Sequence, residues 1–178
     1  YYNLSAKYGN PYAYLQLGFL YQEGQCVQMN CKKAIEYYEL ILKQIEEPFA
    51  LVNLGNIYYN GIGVVRDYPR AKYYYEKAAK HNNSIAIHNL GTMYFNGNGV
   101  VKDYGKAREY FEESANLLNS FSYCMLGFIY YKGFGVQIDL KKARLYFEKS
   151  SYQNNANAYL FLANMYYNGE GVTKDYKK

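Results

Sequence analysis

One motif returns at a nearly fixed interval along the whole chain. Leu17-Gly18, Leu54-Gly55, Leu90-Gly91, Leu126-Gly127 and Leu162-Ala163 fall 37, 36, 36 and 36 residues apart. Tyr21, Tyr58, Tyr94, Tyr130 and Tyr166 each follow three residues after the Gly or Ala. Then come Gly61-x-Gly63-Val64 and its copies at Gly97, Gly133 and Gly169, the acids Asp67, Asp103, Asp139 and Asp175, and the pairs Arg70-Ala71, Lys106-Ala107 and Lys142-Ala143. An aromatic pair closes each unit: Tyr37-Tyr38, Tyr74-Tyr75, Tyr110-Phe111 and Tyr146-Phe147. A period of this length means one supersecondary unit, stacked on its own copies to bury a shared core.

Each unit reads as two helices. Ala86, Leu90, Met93 and Tyr94 sit at i, i+4, i+7 and i+8, one apolar helical stripe. After the Gly97-Asn98-Gly99 break, Ala107, Tyr110, Phe111, Ser114 and Ala115 form a second. The first glycine suits a left-handed C-cap, and Asp103 suits an N-cap that accepts from orphan amides. Gly91 lies inside the first helix, where glycine costs about 1 kcal/mol against alanine. Its recurrence implies that a neighbouring helix approaches there, with the Tyr-Phe ring of the second helix the candidate to fill the space. The expected units are 1–12 (the end of a preceding repeat), 13–49, 50–85, 86–121, 122–157 and a truncated 158–178. Both ends fall in mid-repeat, so the chain is expected to be a window onto a longer array.

The pattern Ala-x-x-x-Leu-Gly-x-x-Tyr-x-x-Gly-x-Gly-Val-x-x-Asp-x-x-Lys-Ala-x-x-Tyr-Tyr resembles the Sel-one-like repeat family, a branch of the tetratricopeptide-like helical repeats. The resemblance covers essentially the whole chain. It implies an all-α fold, a right-handed superhelix of helix-turn-helix repeats whose first helices line the concave surface, and scaffold or adaptor roles. The first repeat departs from the pattern, with Cys26 at the second glycine, Asn30 in place of Asp, and Ile41-Leu42 where small residues are usual. An irregular first inter-helix loop is expected from this.

Little in the chain suggests chemistry. The histidines are His81 and His88, and Cys26, Cys31 and Cys124 follow no metal-ligand spacing. The Gly-x-Gly elements end helices and lack the third glycine or Lys-Ser/Thr of a phosphate loop. Acidic residues recur at fixed phase, as capping and surface residues do, and no Ser-His-Asp order or carboxylate pair stands out. No catalytic residue, metal or cofactor is therefore expected. Net charge is +5, and the longest basic runs are pairs such as Lys32-Lys33 and Lys141-Lys142. These read as solvated helix ends, not as a nucleic-acid footprint. No apolar run reaches membrane-spanning length. Unpaired cysteines point toward a reducing compartment such as the cytoplasm, with the endoplasmic reticulum lumen as the other choice. Hydrolase activity, claimed for cysteine-rich relatives, would go with phased cysteine pairs, which this chain lacks.

The expected function is non-catalytic binding of a protein or peptide. The first helices of repeats two to five carry one charged residue, Lys132, whereas the second helices are rich in charge. The second helices should therefore face solvent and the first be shielded. At about 100° per residue, each first helix sets three positions opposite its core stripe, such as Val52, Asn56 and Tyr59. Two readings of this face stay open: burial between stacked first helices, or an aromatic groove with amide donors. The candidate contact residues are Asn56, Tyr59, His88, Phe95, Phe128, Tyr131, Asn164 and Tyr167. A lone histidine such as His88 is more often structural than a ligand. Carboxylate clamping, used by some tetratricopeptide relatives, would need lysines beside Asn56 and Asn164, and these are missing. The alternative is a targeting or regulatory arm of a larger enzyme, such as a kinase or ubiquitin-ligase component.

Overall fold

The computed structural model describes residues 1–175, and among these the structure is helical throughout, with ten helices and no strand. They are α1 (Tyr2–Lys7), α2 (Pro11–Glu23), α3 (Cys31–Leu42), α4 (Pro48–Asn60), α5 (Tyr68–Ala79), α6 (Ser84–Asn96), α7 (Tyr104–Asn116), α8 (Ser120–Lys132), α9 (Leu140–Ser151) and α10 (Ala156–Asn168). The even-numbered members are the first helices expected from the repeat and the odd-numbered ones the second. A fifth second helix, expected to begin at Lys177-Lys178, lies outside the described residues.

The chain forms two compact units, Tyr1–Ala86 and Ile87 onward. In the first, α2 packs on α3, α4 on α5, and α3 on α4; in the second, α7 packs on α8, α8 on α9, and α9 on α10. Within each unit the helices pack on their neighbours in the chain, the nearest-neighbour arrangement of a repeat protein.

The inter-helix loop is the most regular element. A left-handed glycine ends the first helix, with φ 70° at Gly61 and 75° at Gly133. The capping residue's amide then donates to the carbonyl of the first-helix tyrosine. The distance is 2.8 Å for Asn30 to Tyr21, 2.9 Å for Asp67 to Tyr58, 3.0 Å for Asp103 to Tyr94 and for Asp139 to Tyr130, and 3.1 Å for Asp175 to Tyr166. The same capping carboxylate accepts from the third amide of the next helix, 2.9 Å to Arg70, Lys106 and Lys142, and Asn30 does so to Lys33 at 3.1 Å. The expected irregularity of the first loop does not occur. Cys26 takes the left-handed conformation of its glycine counterparts, with φ 59°. The shared hydrogen bonds hold it there against a steric preference of about 1 kcal/mol or more.

The first helix is the more deeply buried member of the pair in the middle of the array, at α4 and α8, but not at α2 or α10. Eight of the thirteen residues of α4 are buried, from Ala50 to Tyr58, against Ala71, Tyr75 and Ala78 in α5. The approach at the helical glycines is real. A Cβ on Gly91 would lie 2.8 Å from a ring carbon of Phe111, and one on Gly55 2.4 Å from Tyr75. Gly18 and Gly127 meet Tyr38 and Phe147 in the same way. These rings are among the most buried large side chains.

Candidate interaction face

The face opposite the core stripe is built differently in the two units. In the first, the buried rings are tyrosines and amides surround them. The Tyr38 hydroxyl donates to Gln22 Oε1 at 3.0 Å and accepts from Asn53 Nδ2 at 3.1 Å. Burial holds the Tyr38 phenol well above its ordinary pKa, so it keeps its proton. The Tyr75 hydroxyl donates to Asn56 Oδ1 at 2.7 Å. Tyr59 stands edge-on to Tyr68, with centroids 5.3 Å apart, and tilts over Tyr75. Asn56 and Tyr59 are half-buried, while Val52 is buried.

In the second unit the buried rings are phenylalanines, Phe111 and Phe147, and more phenylalanines gather around them. Phe95 touches Phe128 and Phe134, with centroids 6.3 and 5.3 Å away. Phe128 continues to Phe161 at 5.6 Å, and Phe161 stacks on Phe147 at 4.7 Å and 9°. Tyr131 leans on Phe147 and Phe161, and its hydroxyl donates to the Glu170 carboxylate. That carboxylate raises the Tyr131 pKa, with burial second. Phe95, Phe128 and Tyr131 are half-buried. On α10, Asn164 is exposed and Tyr167 is 64% exposed.

His88 is half-buried like its neighbours on this face and is bonded within the fold. Its Nδ1 lies 2.8 Å from Ser122 Oγ, and its ring packs beside Phe111 and Phe121. Burial lowers its pKa to about 4, so the imidazole is neutral at pH 7. Cys124 is buried as well, and its thiol is pushed up to about 11, which makes it unreactive at neutral pH. Among the described residues no group of three His, Cys, Asp or Glu could hold a metal ion, and no helix is long and apolar enough to cross a membrane.

The sequence reading missed four participants, at two repeat positions. Asn53 and Phe161 occupy one repeat position on the flank of the first helix, where they meet the second-helix ring of the preceding repeat. The middle residue of the Gly-x-Gly turn also joins the face, as Phe134 against Phe95 and as Glu170 under Tyr131. That position reads Ile62, Asn98, Phe134 and Glu170. Its variation between two fixed glycines was the available signal.

A family model described as "Sel1 repeat" matches residues 11–44, 48–83, 84–117, 120–155 and 156–178. Among solved structures, a Sel1 repeat protein from Oxalobacter formigenes is 32% identical with a TM-score of 0.86, over 93% of this chain and 67% of that one. A protective antigen of uropathogenic Escherichia coli strains, displaying an SLR fold, is 30% identical with a TM-score of 0.82, over 99% of this chain and 38% of its own length. Helicobacter pylori cysteine rich protein B is 30% identical with a TM-score of 0.58, over 78% of this chain and 99% of that one. The curated proteins contain no match to the chain.

Proposed function

The chain belongs to the Sel1 repeat family, whose members are typically protein-interaction scaffolds, and from that premise we propose that it holds a partner protein or peptide on the uncharged face of its first helices. The contact residues are Asn56 and Tyr59 in the first unit, and Phe95, Phe128, Tyr131, Asn164 and Tyr167 in the second. His88 is half-buried among them, with a neutral imidazole.

One observation carries this reading. The face is aromatic and amide-bearing, and its rings are held by neighbours on one side while keeping partial exposure on the other. A pre-packed ring loses little conformational freedom when a partner covers it, which is why such residues dominate binding energy. The fold itself is in general a non-catalytic scaffold.

The test places a photo-crosslinking residue at Tyr59 or Tyr167 of the protein in its cell and identifies what is trapped. The affinity of that partner is then measured for Tyr59→Ala, Tyr131→Ala and Tyr167→Ala, with circular dichroism as the folding control. A loss of roughly tenfold or more per hot-spot ring is expected. Undiminished affinity in all three folded variants would remove the face from consideration.

A further inference from the structure

The net charge of the chain is confined to one kind of place. The five segments from the loop valine to the start of the second helix (27–33, 64–70, 100–106, 136–142 and 172–175) hold nine of the 20 Lys and Arg but four of the 15 acids. That is an excess of five, the whole of the +5, and the rest of the chain balances at eleven of each sign. Within each unit these segments are contiguous. Gly63 sits against Cys31, where a Cβ would lie 2.7 Å from the Cys31 Cβ; Gly135 sits against Tyr104 and Gly171 against Leu140 in the same manner. These three loops therefore rest on the second-helix N-terminus of the preceding repeat within their own unit.

The cations there are held in place by neutral groups. Tyr21 and Tyr37, Tyr58 and Tyr74, Tyr94 and Tyr110, and Tyr130 and Tyr146 are stacked pairs. Over the first ring of each lies a cation, at 4.9 Å for Lys33, 4.6 Å for Arg70, 4.4 Å for Lys106 and 4.1 Å for Lys142. Arg70 and Lys142 also donate to the phenol oxygens of Tyr58 and Tyr130, at 3.0 and 2.7 Å. A ring face orients a cation without cancelling its charge. The capping aspartates offset part of that charge, with Arg70 Nε 3.6 Å from Asp67, but they are outnumbered. Beside the cations lie open notches, of about 690 Å³ at Tyr130 and Lys142 and about 450 Å³ at Tyr58 and Arg70.

The same loops expose apolar side chains to solvent. Val65 is 90% exposed and Val101 88%, and Met29 and Ile138 are also open. A site for a polyphosphate backbone has no use for these. It would also meet a fixed Asp beside the cations of each loop after the first, which a uniformly charged chain cannot avoid. A peptide can place its carboxylates at the cations and its apolar residues on the valines. A second copy of this chain brings no net negative charge to meet these loops, because the remainder balances at eleven of each sign.

We propose that the loop edge of each unit is a second docking surface, distinct from the first-helix face, and that its partner is an acidic peptide segment with interspersed apolar residues. The proposal stands whether or not the aromatic face binds anything.

The experiment measures fluorescence anisotropy of a labelled peptide repeating Asp-Glu-Leu, and of a labelled oligouridylate, against the full chain. Peptide binding is expected, weakening as salt rises from ~50 to ~300 mM because exposed charges are screened over a Debye length. The variant R66Q/R70Q/K102Q/K106Q should weaken it roughly tenfold or more, since four exposed ion pairs are lost. The charge-matched control K7Q/K43Q/K80Q/K149Q should change it by less than about threefold. V65S/V101S, at two solvent-facing positions that cannot unfold the chain, should weaken the peptide and leave the oligouridylate unaffected. Equal losses in the two quadruple variants, tighter binding of the oligouridylate, or no peptide binding at ~50 mM salt would each overturn the proposal.

Discussion

The two units solve one packing problem with opposite chemistry. At the ring position that fills the space over the helical glycine, the first unit has Tyr38 and Tyr75 and the second has Phe111 and Phe147. A buried phenol needs a partner, and the first unit supplies Gln22, Asn53 and Asn56. Phenylalanine needs none, and the facing positions become Met125, Phe128 and Phe161. The pair Tyr38–Asn53 and the pair Phe147–Phe161 occupy the same two repeat positions, one joined by a hydrogen bond and the other by a 4.7 Å stack. The repeat fixes volume and leaves polarity free, provided both members of a pair change together.

What the units share is ring volume, so removing it should have the largest effect. Phe147→Ala is expected to cost about 3–5 kcal/mol, read as a shift of the urea midpoint, and Tyr38→Ala a similar amount. If either cost under about 1 kcal/mol, the ring would not be filling the glycine gap.

His88 is a titratable group packed beside the rings of the phenylalanine unit, and acid should expose it. Its folded pKa of about 4 lies below the ordinary value of about 6.5, so on acidification the unfolded chain takes up the proton first. The stability from keeping His88 neutral is complete above pH ~6.5 and is lost as the pH falls toward ~4, by up to about 3 kcal/mol. Urea midpoints at pH 7.5 and 5.0 should diverge more for the native chain than for His88→Gln. Equal divergence would place the sensitivity elsewhere.

The polarity pairing is tested by a cycle. Tyr38→Phe should cost about 1–3 kcal/mol, because it strands the buried Asn53 amide. Adding Asn53→Met should recover most of this, since the apolar pair then resembles Phe111–Met125. A double variant no better than the single would refute the pairing.

The smallest effect concerns the turns between repeats. Asn82, Leu118 and Asn154 share one position and one left-handed conformation, with φ 55°, 62° and 57°. Asparagine tolerates that region better than leucine, and Leu118 is 69% exposed with little packing to lose. Leu118→Asn should raise stability by about 0.5–1 kcal/mol, measured by thermal melting. A lower melting temperature would mean that Leu118 packs usefully.

Much of this was legible in sequence because it is local. Asp67, Asp103 and Asp139 announce their helices by spacing alone, and the space over Gly91 was inferred from one misplaced glycine. The Cys26 turn was misread, because hydrogen bonds shared by every loop outweigh one residue's conformational preference. First-helix caps such as Asn119 and Asn155 went unrecognised, although asparagine recurs there at the repeat phase in all but Glu47. The uncharged first helices match the deep burial of α4 and α8 but not the exposure of α2 and α10, and they do not say which face residues stay open. His88 and Tyr167 lie on the same nominal face, yet one is packed against Phe111 and Phe121 and the other is mostly in water.

The sequence by itself determined the repeat, the two helices in each unit, the capped loop between them and the ring against each helical glycine. These depend on φ/ψ preference and on the 3.6-residue period, which a chain carries in its own neighbours. Only the tertiary structure decided which rings meet solvent, which hydroxyls find amides, and which charged loops lie against one another within a unit. Those properties belong to residues about 36 positions apart, and what each side chain faces is set by the next repeat.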